Sequence, residues 1–374
     1  MTIVHVGQLK LAFSNGVQAA IWSLARAQGQ HGHDVTVLSL GRKVQEHEVA
    51  AARRNGIRLW GTNTSIVFSR STFEQVKALL GEIQPDVVHL HSSFIPAHNY
   101  LAHYLRGRSI DYVVSPHGNL CPRERARKPV RKSVYSTLFE KPMLRRAQAA
   151  VCVSEQESDD LDRYVSRVST AVVPNIVDLD VAEAAHRRRA GRSVRPRPKG
   201  LFLGKSDVVN KGLDLLFDVA PRLSADLDIH VIRRDKEAMW REFQRLVATK
   251  KPPNLQVHEP VYGEDKAAAL AAADFYIHMA RWEVFGLSIM EALASGLPVV
   301  VSERCYLAEA IVESGGGIAV PLAPGEAADQ VERYLADPTR MREDGERGRA
   351  WVLRHFSPEA VVQRSIDAYN ATTH

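Results

Sequence analysis

Three cysteines in 374 residues, Cys121, Cys152 and Cys305, are too few, too scattered and odd in number to make a disulfide framework. Each falls in or beside an apolar run and reads as a reduced structural thiol. No apolar run approaches the ~18 residues of a membrane span. The opening stretch MTIVHVGQLKLAF has no basic segment leading into a long apolar one, so it reads as a first strand and not as a signal peptide. A cytoplasmic protein is the expectation. No recognition helix and no aromatic-basic RNA motif stands out, which disfavours a nucleic-acid-binding α/β protein. Asp-Leu-Asp occurs at 160–162, 178–180 and 226–228, but none ends a strand in the manner of a metal site. His89 and His91 share one strand face without an evident third ligand, so neither a metal nor another cofactor is expected.

What is present begins with size. Single cores seldom grow past about 250–300 residues, so a chain of 374 residues suggests two domains. The net charge of +6 is unevenly placed. Arg123 to Arg146 holds nine Lys/Arg against two Glu, and Arg187 to Lys199 holds seven Lys/Arg and no acid. The rest of the chain is therefore acidic, and the two basic stretches point to an anionic partner at particular places.

Short β-rich runs alternate with amphipathic helical stretches. IVHVG, DVTVLSL, DVVHLH, YVVSPH and AAVCVS are apolar on both faces, as in parallel strands covered by helices on both sides. The pattern is that of a doubly wound α/β protein. It fails across AEAAHRRRAGRSVRPRPKG and restarts at GLFLG. The expected organisation is a first Rossmann-like domain over 1–185, a basic linker over 186–199 and a second Rossmann-like domain over 200–356. The stretch SPEAVVQRSIDAYN, with Ser357 as N-cap and Pro358 at the first helical position, reads as a helix that packs back on the first domain (357–374).

Ligands of open α/β sheets bind beyond the carboxyl ends of strands, and three such loops carry unusual chemistry. In VGQLKLAFSNGVQAAIW, Asn15-Gly16 introduces a helix, and Gly16 would let a ligand approach the backbone closely. In GLFLGKSDVVNKGLDLL, Lys205 follows a strand and Lys211 is expected in the first turn of a helix. A lysine there opposes the helix dipole unless an anion binds. In RWEVFGLSIMEALASG, the backbone N–H groups of Phe285, Gly286 and Leu287 lie at a helix mouth suited to a phosphate. Glu291 lies one turn further in, at the reach of a nucleotide ribose, and Glu283 points to whatever the diphosphate carries.

The run RERARKPVRKSVYSTLFEKPMLRR combines charge (Arg127, Lys128, Arg131, Lys132) with grease at helical spacing (Tyr135, Leu138, Phe139, Met143). It reads as a solvated face, as a site for an anionic or lipid-linked acceptor or a membrane surface, or, least favoured, as a nucleic-acid patch.

EVFGLSIME followed by ALASGLPVV resembles the E-x7-E signature of family 4 retaining glycosyltransferases. NGVQAAIWSLARAQGQHGHDVTVLSL, PDVVHLHSSF, SPHGNL, VPNIVD and GKSDVVNKGLDLL are similar to other motifs of that family, in order along most of the chain. The resemblance implies the GT-B fold, two Rossmann-like domains facing a cleft. It also implies metal-independent transfer of a sugar, with retention, from a UDP- or GDP-sugar to a glycan, glycolipid or small-molecule hydroxyl. By that resemblance Glu291 binds ribose, Glu283 contacts the donor sugar, Lys205 and Lys211 hold the diphosphate, Gly16 nears the donor phosphate and His117 approaches the sugar. The family's usual arginine is Lys205 here, and the first glycine of its N-terminal pair is Asn15. A nucleotide-sugar epimerase or hydrolase of the same fold is the alternative. The implied place of work is cytoplasmic, peripheral at the inner face of the cell membrane.

Overall fold

The structure is a computed structural model and describes residues 1–9, 16–62, 69–126, 129–192, 195–233 and 237–371. Two compact units divide the chain: Met1–Ile176 with Pro358–His374, and Val177–Ser357.

The first unit holds a seven-stranded parallel sheet. Its strands are β1 (Thr2–Gly7), β2 (Asp34–Ser39), β3 (Ile57–Gly61), β4 (Val87–His91), β5 (Asp111–Ser115), β6 (Ala149–Cys152) and β7 (Thr170–Val172), in the order β3-β2-β1-β4-β5-β6-β7. Period-two alternation sends Val4, Val6, Val88, Leu90 and Val114 into one core and Ile3, Val87, Val113 and Val151 into another. The helix Pro358–Asn370 belongs to this second core through Val361, Val362, Ala368 and Tyr369, each nearly fully buried. Burying a large apolar side chain contributes roughly 1.5–3 kcal/mol, which is enough to hold a thirteen-residue helix against the sheet. On this same face the apolar residues give way near the strand ends to His5, His89 and His91.

The second unit holds a six-stranded parallel sheet of β8 (Lys199–Lys205), β9 (Asp226–Ile232), β10 (Leu255–His258), β11 (Phe275–His278), β12 (Val299–Ser302) and β13 (Gly317–Val320), in the order β10-β9-β8-β11-β12-β13. Phe202, Leu216, Phe217, Ile229, Phe275 and Ile277 anchor its core. Helix starts follow the local chemistry. Ser69 Oγ accepts from Thr72 N at 3.2 Å, Asp207 and Asp337 cap the helices that follow them, and prolines open those beginning at Pro96, Pro324 and Pro338.

The stretch 186–199, expected as a basic linker, is helical through Arg189 and lies within the second unit. Arg189, Arg192 and Arg195 gather where the helix Gly263–Ala272 ends. Arg192 and Arg195 bond the carbonyls of Ala271 and Ala272, and both sit within 3.4 Å of the buried Asp274 carboxylate. Arg189 donates to the Ala273 carbonyl, and Arg188 pairs with Glu264. Cations at a helix C-terminus oppose its negative end. This basic stretch is therefore largely spent on its own unit, which corrects the expectation of an anionic partner there.

Candidate active site

In each sheet the winding reverses at one place, between β1 and β4 in the first and between β8 and β11 in the second. The loops that leave such neighbouring strands open a crevice at the carboxyl edge.

In the second unit those loops are Ser206–Gly212 and Met279–Gly286. Asp207 caps a short turn, Val208–Lys211, through Asn210 N at 3.2 Å and Asn210 Nδ2 at 2.7 Å. Gly212 then adopts φ +62°, and a Cβ on it would meet the Met279 carbonyl oxygen at 1.8 Å. This break corrects the expected placement of Lys211. It ends the short turn, and the next helix begins at Leu213. The dipole conflict foreseen for it does not arise. Instead its ammonium is bonded to Glu283. Arg281 ties the two loops: its guanidinium grips Asp214 with two 2.7 Å bonds, and its N–H donates to the Asn210 carbonyl at 3.0 Å. Such a bidentate fork fixes geometry as well as charge. Arg281 escaped the sequence reading, although its place directly after a strand at the switch point was a usable signal.

Glu283 also lies 3.2 Å from His278 Nε2, at the end of β11. Burial alone would raise the Glu283 pKa, but the Lys211 ammonium and His278 hold it well below the ordinary carboxylate range. Three residues on, Gly286 at φ +70° caps the helix Leu287–Ala294. A Cβ there would crowd Ile289 Cδ1 at 2.6 Å and Glu283 Cγ at 3.1 Å, so the tight turn and the carboxylate depend on one another. The Phe285 ring is core, edge-on to Phe356 at 5.8 Å, which leaves only its backbone available to a ligand. The Tyr276 hydroxyl lies 2.8 Å from Ser288 Oγ and 3.0 Å from the Leu203 carbonyl, pinning the helix start to β8.

Glu291 is buried one turn into this helix, and Lys266 Nζ donates to its Oε1 at 2.5 Å. Burial raises its pKa in spite of that lysine. The sequence reading missed Lys266, which lies twenty-five positions away on the helix Gly263–Ala272 and carries no motif of its own. Lys205 is the last residue of β8, beside β11, and is partly buried. A separate hollow of about 620 Å³ lies at the edge strand β13. It is lined by Arg333, Arg340 and Arg347, of which the last two face Asp344, and it lies away from the strand-end loops.

In the first unit, Gly16 starts the helix Gly16–Gln30 and is exposed; a Cβ on it would meet nothing within 4 Å among the described residues. Asn15 lies outside the described residues. His117 follows β5 in the left-handed region at φ +51°, a costly place for a residue with a Cβ. The next residue, Gly118, donates its N–H to Glu157, whose other oxygen accepts from Val153 N at 2.7 Å. Burial pushes the Glu157 carboxyl up to about 7. Glu157 thus holds the His117 turn. The sequence reading passed over it, although S-x-x-E at 154–157 is a helix-start signature.

The third histidine that the sequence reading lacked is His5. The β1–β4 register pairs His5 with His89, and His91 lies two residues along β4 on the same face. Side-chain nitrogens of these three lie within 4.8 Å of one another. All six ring nitrogens already have protein partners at 2.7–3.0 Å, so the cluster is satisfied as a hydrogen-bond network.

Of the expected acceptor or membrane patch, Arg127 and Lys128 lie outside the described residues. Arg131 is exposed. Lys132 turns inward, bonding the Glu124 carbonyl with its ammonium 4.9 Å over the Phe94 ring. The helix Pro129–Tyr135 continues as a π-helical turn, Ser136–Glu140. Met143 is core and Tyr135 is bonded by Asn99 at 2.6 Å, but Val130 (76% exposed), Val134, Leu138 (60%) and Phe139 face outward.

The fold has close counterparts. The sucrose-phosphate synthase of Thermosynechococcus elongatus superposes with a TM-score of 0.78 at 20% identity, over 99% of this chain and 98% of that one. Two parallel doubly wound sheets of this kind define the GT-B class of glycosyltransferase. Residues 14–181 match the model for Glycosyltransferase Family 4 and residues 197–337 the model for Glycosyl transferases group 1, and the chain belongs to glycosyltransferase family 4. Among its relatives, the phosphatidyl-myo-inositol mannosyltransferase of Propionibacterium freudenreichii subsp. shermanii is 25% identical over all of this chain and 97% of its own length. The GDP-mannose:cellobiosyl-diphosphopolyprenol alpha-mannosyltransferase of Xanthomonas campestris is 26% identical over 99% and 97%. No helix among the described residues is long and apolar enough to cross a membrane.

Proposed function

We propose that this glycosyltransferase moves a sugar, with retention and without a metal, from a nucleoside-diphosphate sugar to a hydroxyl of a lipid-linked acceptor. The observation that supports it most is the junction of β8 and β11, where Lys205, the Lys211–Glu283 pair and the mouth of the helix Leu287–Ala294 adjoin. A departing diphosphate gathers negative charge in the transition state. Two ammonium groups and the N–H groups of Phe285, Gly286 and Leu287 are the groups that stabilise such charge. Glu283 stays ionised and accepts hydrogen bonds from the donor sugar's hydroxyls, and Glu291 takes the ribose hydroxyls in exchange for Lys266. Among the residues given a role, none is required as a nucleophile. A leaving phosphate oxygen on the same face takes the acceptor's proton, and the protein supplies position. By the same reading His117 contacts the sugar and Gly16 the donor phosphate.

UDP- and GDP-sugars both fit this chemistry; both relatives are mannosyltransferases by name and one of the two names GDP-mannose as donor, which favours GDP-mannose. Their acceptors are named as lipids, which suits the outward apolar row Val130, Val134, Leu138 and Phe139 beside Arg131. Such a face suits the boundary of an anionic bilayer, which supports peripheral work at the membrane.

The test is transfer from GDP-mannose, and in parallel UDP-glucose, to a lipid extract containing phosphatidylinositol and polyprenyl-diphosphate glycans, with and without EDTA. The anomeric configuration of the product is read by NMR. A glycolipid that keeps the donor's configuration, formed equally in EDTA, is the expected result. Inversion, EDTA sensitivity, or full donor turnover without acceptor would each contradict the proposal. The last would point to a hydrolase or epimerase.

A further inference from the structure

A line of three imidazoles, with a fourth stacked beside it, runs through the first unit. Gln28 Oε1 lies 2.7 Å from His5 Nε2, His5 Nδ1 lies 2.9 Å from His91 Nε2, and His91 Nδ1 lies 3.0 Å from His117 Nε2. His89 stacks beside His91 with ring centroids 4.0 Å apart and bonds Tyr369 Oη at 2.8 Å and Ser115 Oγ at 2.7 Å. His117 Nδ1 makes no hydrogen bond among the described residues.

Each ring is neutral. Burial lowers the pKa of His5 and of His117 to about 4, and burial together with neighbouring imidazoles lowers those of His89 and His91. A neutral imidazole has one N–H and one bare nitrogen, so a row of neutral rings has a direction, and whatever holds one end sets the other. Gln28 holds this end. Ser365 Oγ lies 2.7 Å from the Val362 carbonyl, which can only accept, so the hydroxyl proton is committed there. The same Oγ, 3.0 Å from Gln28 Nε2, must then accept from the amide N–H. The second amide N–H goes to Tyr369 Oη at 3.1 Å. A reversed amide would face Ser365 oxygen to oxygen with no proton between them. Gln28 Oε1 is therefore an acceptor. It takes the N–H of His5 Nε2, His5 Nδ1 takes that of His91 Nε2, and His91 Nδ1 takes that of His117 Nε2. His117 is left with Nδ1 bare.

We propose that Gln28, held by Ser365 and Tyr369 of the C-terminal helix, fixes the tautomer of His117 so that its Nδ1 is a permanent acceptor for a substrate hydroxyl. Gln28 is a positioning residue that acts through two histidines. The C-terminal helix thereby shapes the site from the far end of the chain, where no motif marks it. A sugar hydroxyl that donates to Nδ1 is oriented with its oxygen lone pairs free, whereas the opposite tautomer would present an N–H and turn that hydroxyl round. This role for His117 rests on the sugar contact given it under Proposed function; the chain of tautomers does not.

The full-length protein labelled with 15N-histidine gives the test. Long-range 1H–15N spectra report which ring nitrogen carries the proton, with His117→Gln used to assign the signal. In the wild type, His117 is expected to show a protonated Nε2 and a bare Nδ1. Gln28→Met, which removes both the acceptor and the two amide N–H groups that hold it, mixes the tautomers. Transfer should fall about tenfold in kcat/KM for Gln28→Met. A wild-type His117 protonated at Nδ1 overturns the proposal without any variant, as does a pattern indifferent to Gln28→Met. Stoichiometric zinc binding to His5, His89 and His91 would also overturn it, since a metal takes the lone pairs the row uses. Scrambled tautomers with undiminished transfer would instead refute the sugar contact of His117 and leave the row standing.

Discussion

On β1 and β4 and just past β5 the first unit assembles neutral rings, whereas beyond β8 and β11 the second assembles ion pairs. The four histidines meet no carboxylate in the row, so burial strips them of charge and leaves a directional line of N–H bonds. Glu283 is also largely buried, but Lys211 compensates it and keeps it ionised. Glu291, in the same unit, is pushed the other way by deeper burial that Lys266 only partly offsets. Burial is common to all of these groups, and the counter-charge decides the outcome. Groups whose environments push their pKa values apart suit different tasks. A line of neutral rings suits orienting a hydroxyl, and lysines poised beside carboxylates suit a diphosphate.

The most severe way to break one side of the comparison is Gly212→Ala. The added Cβ must move the Met279 carbonyl and adopt φ +62°. A loss of about 3 kcal/mol or more is expected for the second unit, with the first unit's transition unchanged in chemical denaturation followed by residue-specific probes.

Lys211→Met tests the counter-charge directly. It leaves Glu283 partly buried without its cation, for a cost of about 1–3 kcal/mol, and Glu283→Gln in the same chain should recover most of it. In the wild type the sign is set by a lowered carboxylate pKa. The contribution of Glu283 is complete above its ordinary value of 4.5 and is lost as pH falls through the lower folded value. Urea titrations from pH 7 to pH 3 should show the first part of that loss, below about pH 4.5, in the wild type and not in the double variant.

Glu140 carries the same rule into the first unit with the sign reversed. It is fully buried, accepts the Phe94 N–H at 3.2 Å, and is pushed up by burial from 4.5 to about 7. The folded state therefore binds the extra proton between those values, and stability falls as pH rises from about 4.5 to 7. Glu140→Gln should remove that slope, gaining roughly 2 kcal/mol over the wild type at pH 8 and little at pH 4.

The smallest effect on stability belongs to the outward apolar row. Val134→Ser with Leu138→Ser should change the unfolding free energy by less than about 0.5 kcal/mol per site. Binding to vesicles of anionic lipid should nonetheless weaken several-fold. Unchanged vesicle binding would remove the membrane role from this face.

Much of this architecture was legible in order along the chain. Apolar runs such as DVVHLH and LPVVVS announce parallel strands covered on both faces, and Gly286 and Glu291 stand in a motif with fixed spacing. Three features were not legible because they are made by distant pairs. Lys266 meets Glu291 from another helix, Arg192 and Arg195 leave an apparent linker to cap a helix end at Asp274, and His5 reaches His91 only through strand register. Lys211 was misplaced for a local reason: a single left-handed glycine divides what reads as one helix.

The measurement that bears most directly on the donor site is a thermal-shift panel of UDP, GDP, ADP, dTDP and CMP, with and without EDTA, on the wild type and Glu291→Ala. One diphosphate at 100 times its Kd should stabilise the wild type by about 2.7 kcal/mol, be indifferent to EDTA and lose its effect in the variant. A panel in which no nucleotide shifts the wild type would contradict the assignment of the β8 and β11 loops to a nucleotide-sugar donor.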